Sequence, residues 1–293
     1  MEESLLGKIQ FWRKSAPKLN LGVYICAEKI TVFQGATDQV DAKTMTFAFD
    51  HHDWKGAFSQ VVKEFGPAKI QIVLAADFYQ LLLVDKPNVQ QEELNAALLW
   101  SVKDIVTHPV TDIHLDYFES SKQSSNKVNV VVTEKSLMSS LLIAAKNAGL
   151  MTVGVSIEEM ATSNLFNDNQ ARLILSHREG QELLLTVVRA GEVFMQRRVR
   201  GFLQIDKVSA EDLSYGVADN LSLELQRSMD YFESQLREAP VSSIELVMDG
   251  ERVALANLIA ANFDQSVTAY DAMSVEAVFS QLALAEIARG QQQ

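Results

Sequence analysis

A single cysteine, Cys26, stands in 293 residues. The chain therefore cannot build a disulfide framework, and it has too few thiols for a structural zinc site of the finger type. Nowhere do apolar residues run unbroken for the roughly 18 positions that a membrane-crossing helix needs. The opening Met1-Glu2-Glu3-Ser4 has neither a basic leader nor an export cleavage site, and the expectation is a protein of the reducing cytoplasm. Positive charge is scarce: 26 Lys and Arg against 38 Asp and Glu give a net charge of −12 and an isoelectric point near 4.9. Such a surface repels a phosphate backbone, and no long basic run interleaved with aromatics offsets it, which argues against a nucleic-acid partner. Gly-rich phosphate loops, dinucleotide fingerprints and nucleophile elbows are absent, and no expected helix carries two histidines one turn apart.

What is present is material for buried cores, 47% apolar residues against 22% charged, in a chain long enough for two domains. The acidity is interrupted in residues 1–18, where Lys8, Arg13, Lys14 and Lys18 surround Leu5, Leu6, Ile9 and Trp12 at helical spacing. This amphipathic segment reads either as a helix packed on its own domain or frayed, or as a weak membrane-surface or partner-binding helix.

After Pro17, β-branched and aromatic residues predict a three-strand meander at 19–25, 29–35 and 45–50. A helix over 54–65 follows, stopped by Gly66-Pro67, then strands at 69–74 and 80–84. Asn88 with Gln91 is expected to cap a helix whose Leu94, Leu98, Val102 and Ile105 point inward. Strands at 112–118 and 127–132, a helix over 137–147 closing at Gly149, a strand at 151–157 and a capping box from Ser156 to Glu159 complete the first half. The polar run 166–170 marks a boundary. The second half opens as the first does, with a meander at 172–176, 181–188 and 192–199. A stripe through Leu213, Val217, Leu221, Leu225, Met229, Phe232 and Leu236 predicts one long buried helix. A strand at 244–248, a helix at 252–262, a strand at 267–270 and a helix at 275–287 end the chain. Alternating strands and helices make an α/β protein built from two similar halves.

Three clusters invite chemistry. Asp50-His51-His52-Asp53 is isolated from further ligands, and Asp53 as a helix cap explains it better than a metal. Cys26, at the end of a buried strand, reads as inert core. Arg197-Arg198-Val199-Arg200 reads as a charged, solvated sheet edge, with docking of an acidic partner or lipid headgroups as the alternative.

Residues 83–87 (Leu-Val-Asp-Lys-Pro), 91–94 (Gln-Glu-Glu-Leu), 96–100 (Ala-Ala-Leu-Leu-Trp) and 112–117 (Asp-Ile-His-Leu-Asp-Tyr) resemble subdomain 1C of the actin-like pilus-assembly proteins called PilM. Within that FtsA-like family the likeness is to the MshI branch, of MSHA-type pili. Residues 144–150 and the helical run 225–232 resemble the family's Ala-Gly-Leu turn and its long helix in subdomain 2A. The resemblance implies an actin-like, two-lobed fold: lobe 1 at 19–166, with 1C inserted at about 51–150, and a reduced lobe 2 at 167–293. It also implies a cleft where ATP-binding members hold nucleotide. The phosphate loops there need an Asp and a Gly, for metal-bound water and for close backbone approach. In this chain Tyr24 and Cys26 occupy the first pair of places, and His177 and Glu179 the second. Asp249-Gly250 keeps only half of the Gly-Gly turn that admits adenosine. The expectation is a degenerate site, with no cofactor, no metal and no enzymatic activity. The implied role is that of a scaffold peripheral to the inner membrane. It would bind the N-terminal peptide of a PilN-like inner-membrane assembly protein between subdomains 1A and 1C, and couple it to the assembly ATPase. A nucleotide-dependent switch and a GspL-like type II secretion module are the alternatives.

Overall fold

The computed structural model describes residues 17–50, 53–120 and 126–290. The amphipathic run 1–16 and the His51-His52 pair lie outside the described residues. Strands β1 (Asn20–Ile25), β2 (Lys29–Gln34) and β3 (Lys43–Ala48) pair antiparallel as a meander. Helix α1 (Trp54–Phe65) then returns the chain so that β4 (Lys69–Leu74) runs parallel to β1. Asp53 does cap α1, its carboxylate accepting from the Gly56 N–H at 3.0 Å. Gly66 ends the helix at φ +84°, a conformation that glycine adopts without strain.

Between β4 and the next strand of this sheet comes a separate unit, a three-stranded antiparallel sheet in the order β5 (Gln80–Asp85), β7 (Lys127–Glu134), β6 (Ile113–Phe118). Helix α2 (Gln91–Val102) buries Leu94, Leu98 and Val102 against Val128, Val130 and Val132 of β7. Helix α3 (Lys135–Ala148) and strand β8 (Met151–Ile157) close the first sheet in the order β3-β2-β1-β4-β8. Strands β1 and β4 are buried almost throughout, as expected of strands covered on both faces. One turn, α4 (Glu158–Ala161), leads on.

The second lobe repeats the plan. Strands β9 (Arg172–His177), β10 (Leu183–Arg189), β11 (Glu192–Val199), β12 (Ser243–Met248) and β13 (Ser266–Ala269) form a sheet in the order β11-β10-β9-β12-β13. An antiparallel meander is again followed by parallel additions. Helices α5 (Ala218–Ser234) and α6 (Arg252–Ala260) cover it. The last helix, α7 (Val275–Gly290), crosses back to lie on β1. Gly22 permits this: a Cβ there would sit 1.9 Å from the Ser280 carbonyl oxygen. The crossing forms a core shared by both lobes, in which Tyr24 and Val73 of the first meet Ile174 and Val247 of the second around Phe279.

Four local expectations are corrected. Ser156 does not cap α4; it lies within β8, and Glu159 is buried instead. The cap position of α2 is Gln90, without a side-chain bond, and Gln91 donates to the Tyr117 hydroxyl. Ile105 lies beyond the end of α2 and is exposed. The stripe from Leu213 to Leu236 is interrupted where Tyr215 and Gly216 leave helical geometry, Gly216 at φ +95°, so α5 begins only at Ala218.

Candidate functional site

The C-terminal ends of β1, β4 and β8 face those of β9 and β12 across the seam between the lobes, the position where open α/β sheets receive ligands. Aromatic and charged side chains close this seam. The Tyr24 ring, fully buried, stacks on Phe279 with centroids 5.2 Å apart. Its hydroxyl donates to Glu158 Oε1 at 2.6 Å. Glu158 and Glu159, consecutive at the end of β8, are 5% and 0% exposed. From the second lobe, Arg198 Nη2 donates to Glu158 Oε2 and Glu159 Oε1, each at 2.7 Å. Tyr79 completes the network, its hydroxyl donating to Glu159 Oε2 at 2.5 Å and accepting from Arg198 at 3.1 Å. Two buried carboxylates thus share one guanidinium brought from the other lobe, the condition under which buried charges are tolerated.

The electrostatics follow from burial. Desolvation, and then the adjoining carboxylates, push the Tyr24 and Tyr79 phenols well above their ordinary range. Burial raises the Glu158 carboxyl and Arg198 opposes it. For Arg198 itself burial works against the charge, but Glu159, Tyr79 and Glu158 together outweigh it and hold the guanidinium protonated. A second clasp lies alongside, where Asp77 accepts from Arg178 and, at 2.9 Å, from Gln181 Nε2. Between Glu158, His177, Arg178, Arg198 and Phe279 about 10 Å³ of free space remains, while a cavity of about 480 Å³ opens beside it between Tyr79, Leu81 and Glu159 of the first lobe and Gln181, Gln196 and Arg198 of the second. The innermost space, around Tyr24 and Phe279, therefore has room for one water at most.

Five of the six positions singled out in the sequence gather at this seam. Tyr24 stacks in it, and Cys26, 4% exposed, has its thiol pushed up by burial, which keeps it protonated and unreactive. His177 is 1% exposed, with the Asp206 carboxylate 3.8 Å from Nδ1 and the Gln181 and Leu203 backbones beside the ring. Burial lowers its pKa and Asp206 opposes that shift. Asp249, its carboxyl raised by burial and then by Glu276, leads into Gly250 at φ +78°. A Cβ at Gly250 would meet the Asp206 carbonyl oxygen at 2.2 Å, so the glycine here admits protein backbone. Glu179 is not brought in: it is exposed and pairs with Lys207 at 2.7 Å, while its neighbour Arg178 points into the seam.

Arg178, Glu158 and Tyr79 were not singled out in the sequence, and Arg198 and Glu159 were, but as part of a basic sheet edge and of a helix cap. The one available signal was Glu158-Glu159 directly after a buried strand, a place where carboxylates need a partner. Nor is Arg197-Arg198-Val199-Arg200 simply a solvated edge. β11 is an edge strand and Arg200 is exposed, but Arg197 pairs with Glu224 and Arg198 holds the lobes together. Among the described residues no cluster of three or more metal-ligating side chains occurs, and no helix is long and apolar enough to cross a membrane.

A separate groove of about 230 Å³ opens between the first lobe and its inserted unit, walled by Asp77, Phe78 and Leu137 on one side and by Val106, Ile113 and Thr133 on the other.

No protein-family model and no curated protein matches the chain. Solved structures do. A PilM–PilN type IV pilus biogenesis complex superposes with a TM-score of 0.58 at 15% identity, covering 91% of this chain and 96% of that one. The cytoplasmic domain of EpsL, an inner-membrane component of the type II secretion system of Vibrio cholerae, gives 0.55 at 16% identity, with 90% and 94% covered. A Bacteroides thetaiotaomicron protein of unknown function with an actin-like ATPase fold gives 0.55 at 12%, with 92% and 96% covered. The fold is actin-like. The seam filled by Tyr24, Phe279 and Arg198 lies between the two lobes of that fold.

Proposed function

We propose that this chain is a non-catalytic scaffold of a pilus or secretion assembly machine, with the innermost part of its interlobe seam filled by its own side chains. The observation that carries the reading is the buried Tyr24–Glu158–Arg198–Glu159–Tyr79 network, which lies in the seam and ties the lobes. A phosphate group there would meet two buried carboxylates and no glycine-lined loop. Recognition by a groove requires none of these phosphate-binding features, and the cavity beside Phe78 and Ile113 sets apolar Val106, Val132 and Leu137 next to polar Gln80, His108 and Glu134, a mixed wall that a peptide can meet with side chains and backbone alike.

The finer reading follows the similar structures. One is a complex of PilM with PilN, and another belongs to an inner-membrane secretion component. On that basis the groove takes the cytoplasmic N-terminal tail of a PilN-like inner-membrane protein. The chain then works at the cytoplasmic face of the inner membrane, coupling that protein to the assembly ATPase, as in the MshI branch of the pilus family. A GspL-like place in type II secretion is the second reading, favoured by the EpsL likeness, and the genes beside this one discriminate between the two. The decisive assay titrates a fluorescein-labelled tail peptide, with and without ATP and magnesium. Saturable binding at tens of micromolar, unaffected by nucleotide, is expected. No binding would sink the partner assignment, and a rise in melting temperature with ATP and magnesium would sink the filled seam.

A further inference from the structure

We propose that Arg178 and Arg198 of the second lobe are positioning residues for the groove of the first, so that clasping of the lobes and occupation of the groove are energetically coupled. The occupant rests on the reading above; what the proposal adds is the control of that site.

The argument turns on one short segment. Ala76–Phe78 is a single 3₁₀ turn, without a side-chain cap, that runs into Tyr79. A turn of three residues cannot hold its own conformation, so contacts set its place. Phe78 is anchored in the first lobe, 5.8 Å from the Trp54 ring, and its carbonyl accepts from Thr133 of the inserted unit at 2.8 Å. The residues on either side of it are held by the other lobe: Asp77 by Arg178 and Gln181, and Tyr79 by Arg198, with Glu159 of its own lobe as a further partner. Asp77, Phe78 and Tyr79 are also groove wall, whereas Arg178 and Arg198 line no part of the groove. The second lobe therefore touches the groove only through side chains that it pins. Asp77 and Arg178 are 17% and 12% exposed, so their pairing is shielded from solvent. With the clasp made, this wall is ordered before anything binds; with it broken, the binder must order the wall and loses affinity. By linkage, a bound occupant tightens the lobes by the same factor.

The test measures anisotropy of the labelled tail peptide, well below the melting temperature, on wild type, Arg178→Ala, Arg198→Met and the swapped pair Asp77→Arg with Arg178→Asp. Each single variant is expected to bind about fivefold or more weakly, and the swap to recover most of the affinity of Arg178→Ala, a rescue that general loss of stability does not produce. Hydrogen exchange on the free proteins supplies a readout independent of the peptide: amides at 76–79 and 133–137 exchange faster in both single variants. Unchanged affinity in Arg178→Ala and Arg198→Met overturns the coupling. If the peptide fails to bind wild type, the partner reading falls, and unchanged exchange at those amides then overturns the coupling by itself.

Discussion

Replacing Arg198 with Met keeps the length of the side chain and removes the cation that two buried carboxylates share. Each contact is 2.7 Å long, worth about 6 kcal/mol of gross attraction at an effective dielectric near 20. Desolvation of the three ions takes back most of that sum. What remains as the cost of removing one partner from a buried pair is about 3–5 kcal/mol, or about 10 °C in melting temperature for a protein of this size. The pH dependence has a definite sign. Burial already pushes the Glu158 carboxyl up and Arg198 opposes it, so in the variant its folded pKa rises further above the unfolded value. A group raised in this way costs stability where it is ionised in the fold, and the cost disappears as pH falls through the folded pKa. Urea denaturation of wild type and variant at about pH 7.5 and pH 5 is the assay. The loss is expected to be largest at the higher pH and to shrink at the lower. Adding Glu158→Gln and Glu159→Gln to the variant returns part of it, since an uncharged core needs no counter-ion. A loss below about 1 kcal/mol, the scale of a surface pair, or one equal at both pH values, would refute the reasoning.

Two further outcomes follow from the packing. Gly22→Ala places a Cβ 1.9 Å from the Ser280 oxygen and 2.5 Å from the Leu284 nitrogen, main-chain atoms that cannot yield without moving α7. A loss of about 3 kcal/mol is expected, with earlier proteolysis of the C-terminal helix; a neutral substitution would mean that α7 is not seated on β1. His177 is neutral in the fold because burial lowers its pKa. The unfolded chain takes up a proton near its ordinary pKa of about 6.5, so the contribution is complete above that pH and is lost as pH falls below it. His177→Leu should therefore flatten the decline in stability between about pH 7.5 and 5.5 relative to wild type, checked by melting curves across that range; parallel curves would contradict it.

Periodicity and punctuation marked nearly every strand and helix, because the apolar pattern that buries an element is local. The 69–74 run matches β4 residue for residue, and Asp53 reads as a cap from its place before a 3.6-period pattern. Errors fell where the outcome depends on a distant neighbour. Gly216 interrupts an apolar stripe that the pattern alone continues, and Ser156 pairs in a sheet edge where its spacing to Glu159 suggests a cap.

The same division holds for the cleft. On the proposed reading, residue identity alone puts Tyr24, Cys26 and His177 at places where phosphate loops would need acids and glycines. What replaces them rested on contacts made only in the assembled fold. Tyr24 lies 134 residues from Glu158, and Arg198 lies 119 from Tyr79. No pattern in a chain announces that a strand-edge arginine will be shared by two carboxylates of the other lobe, because the pairing is required only once the fold has taken all three away from water.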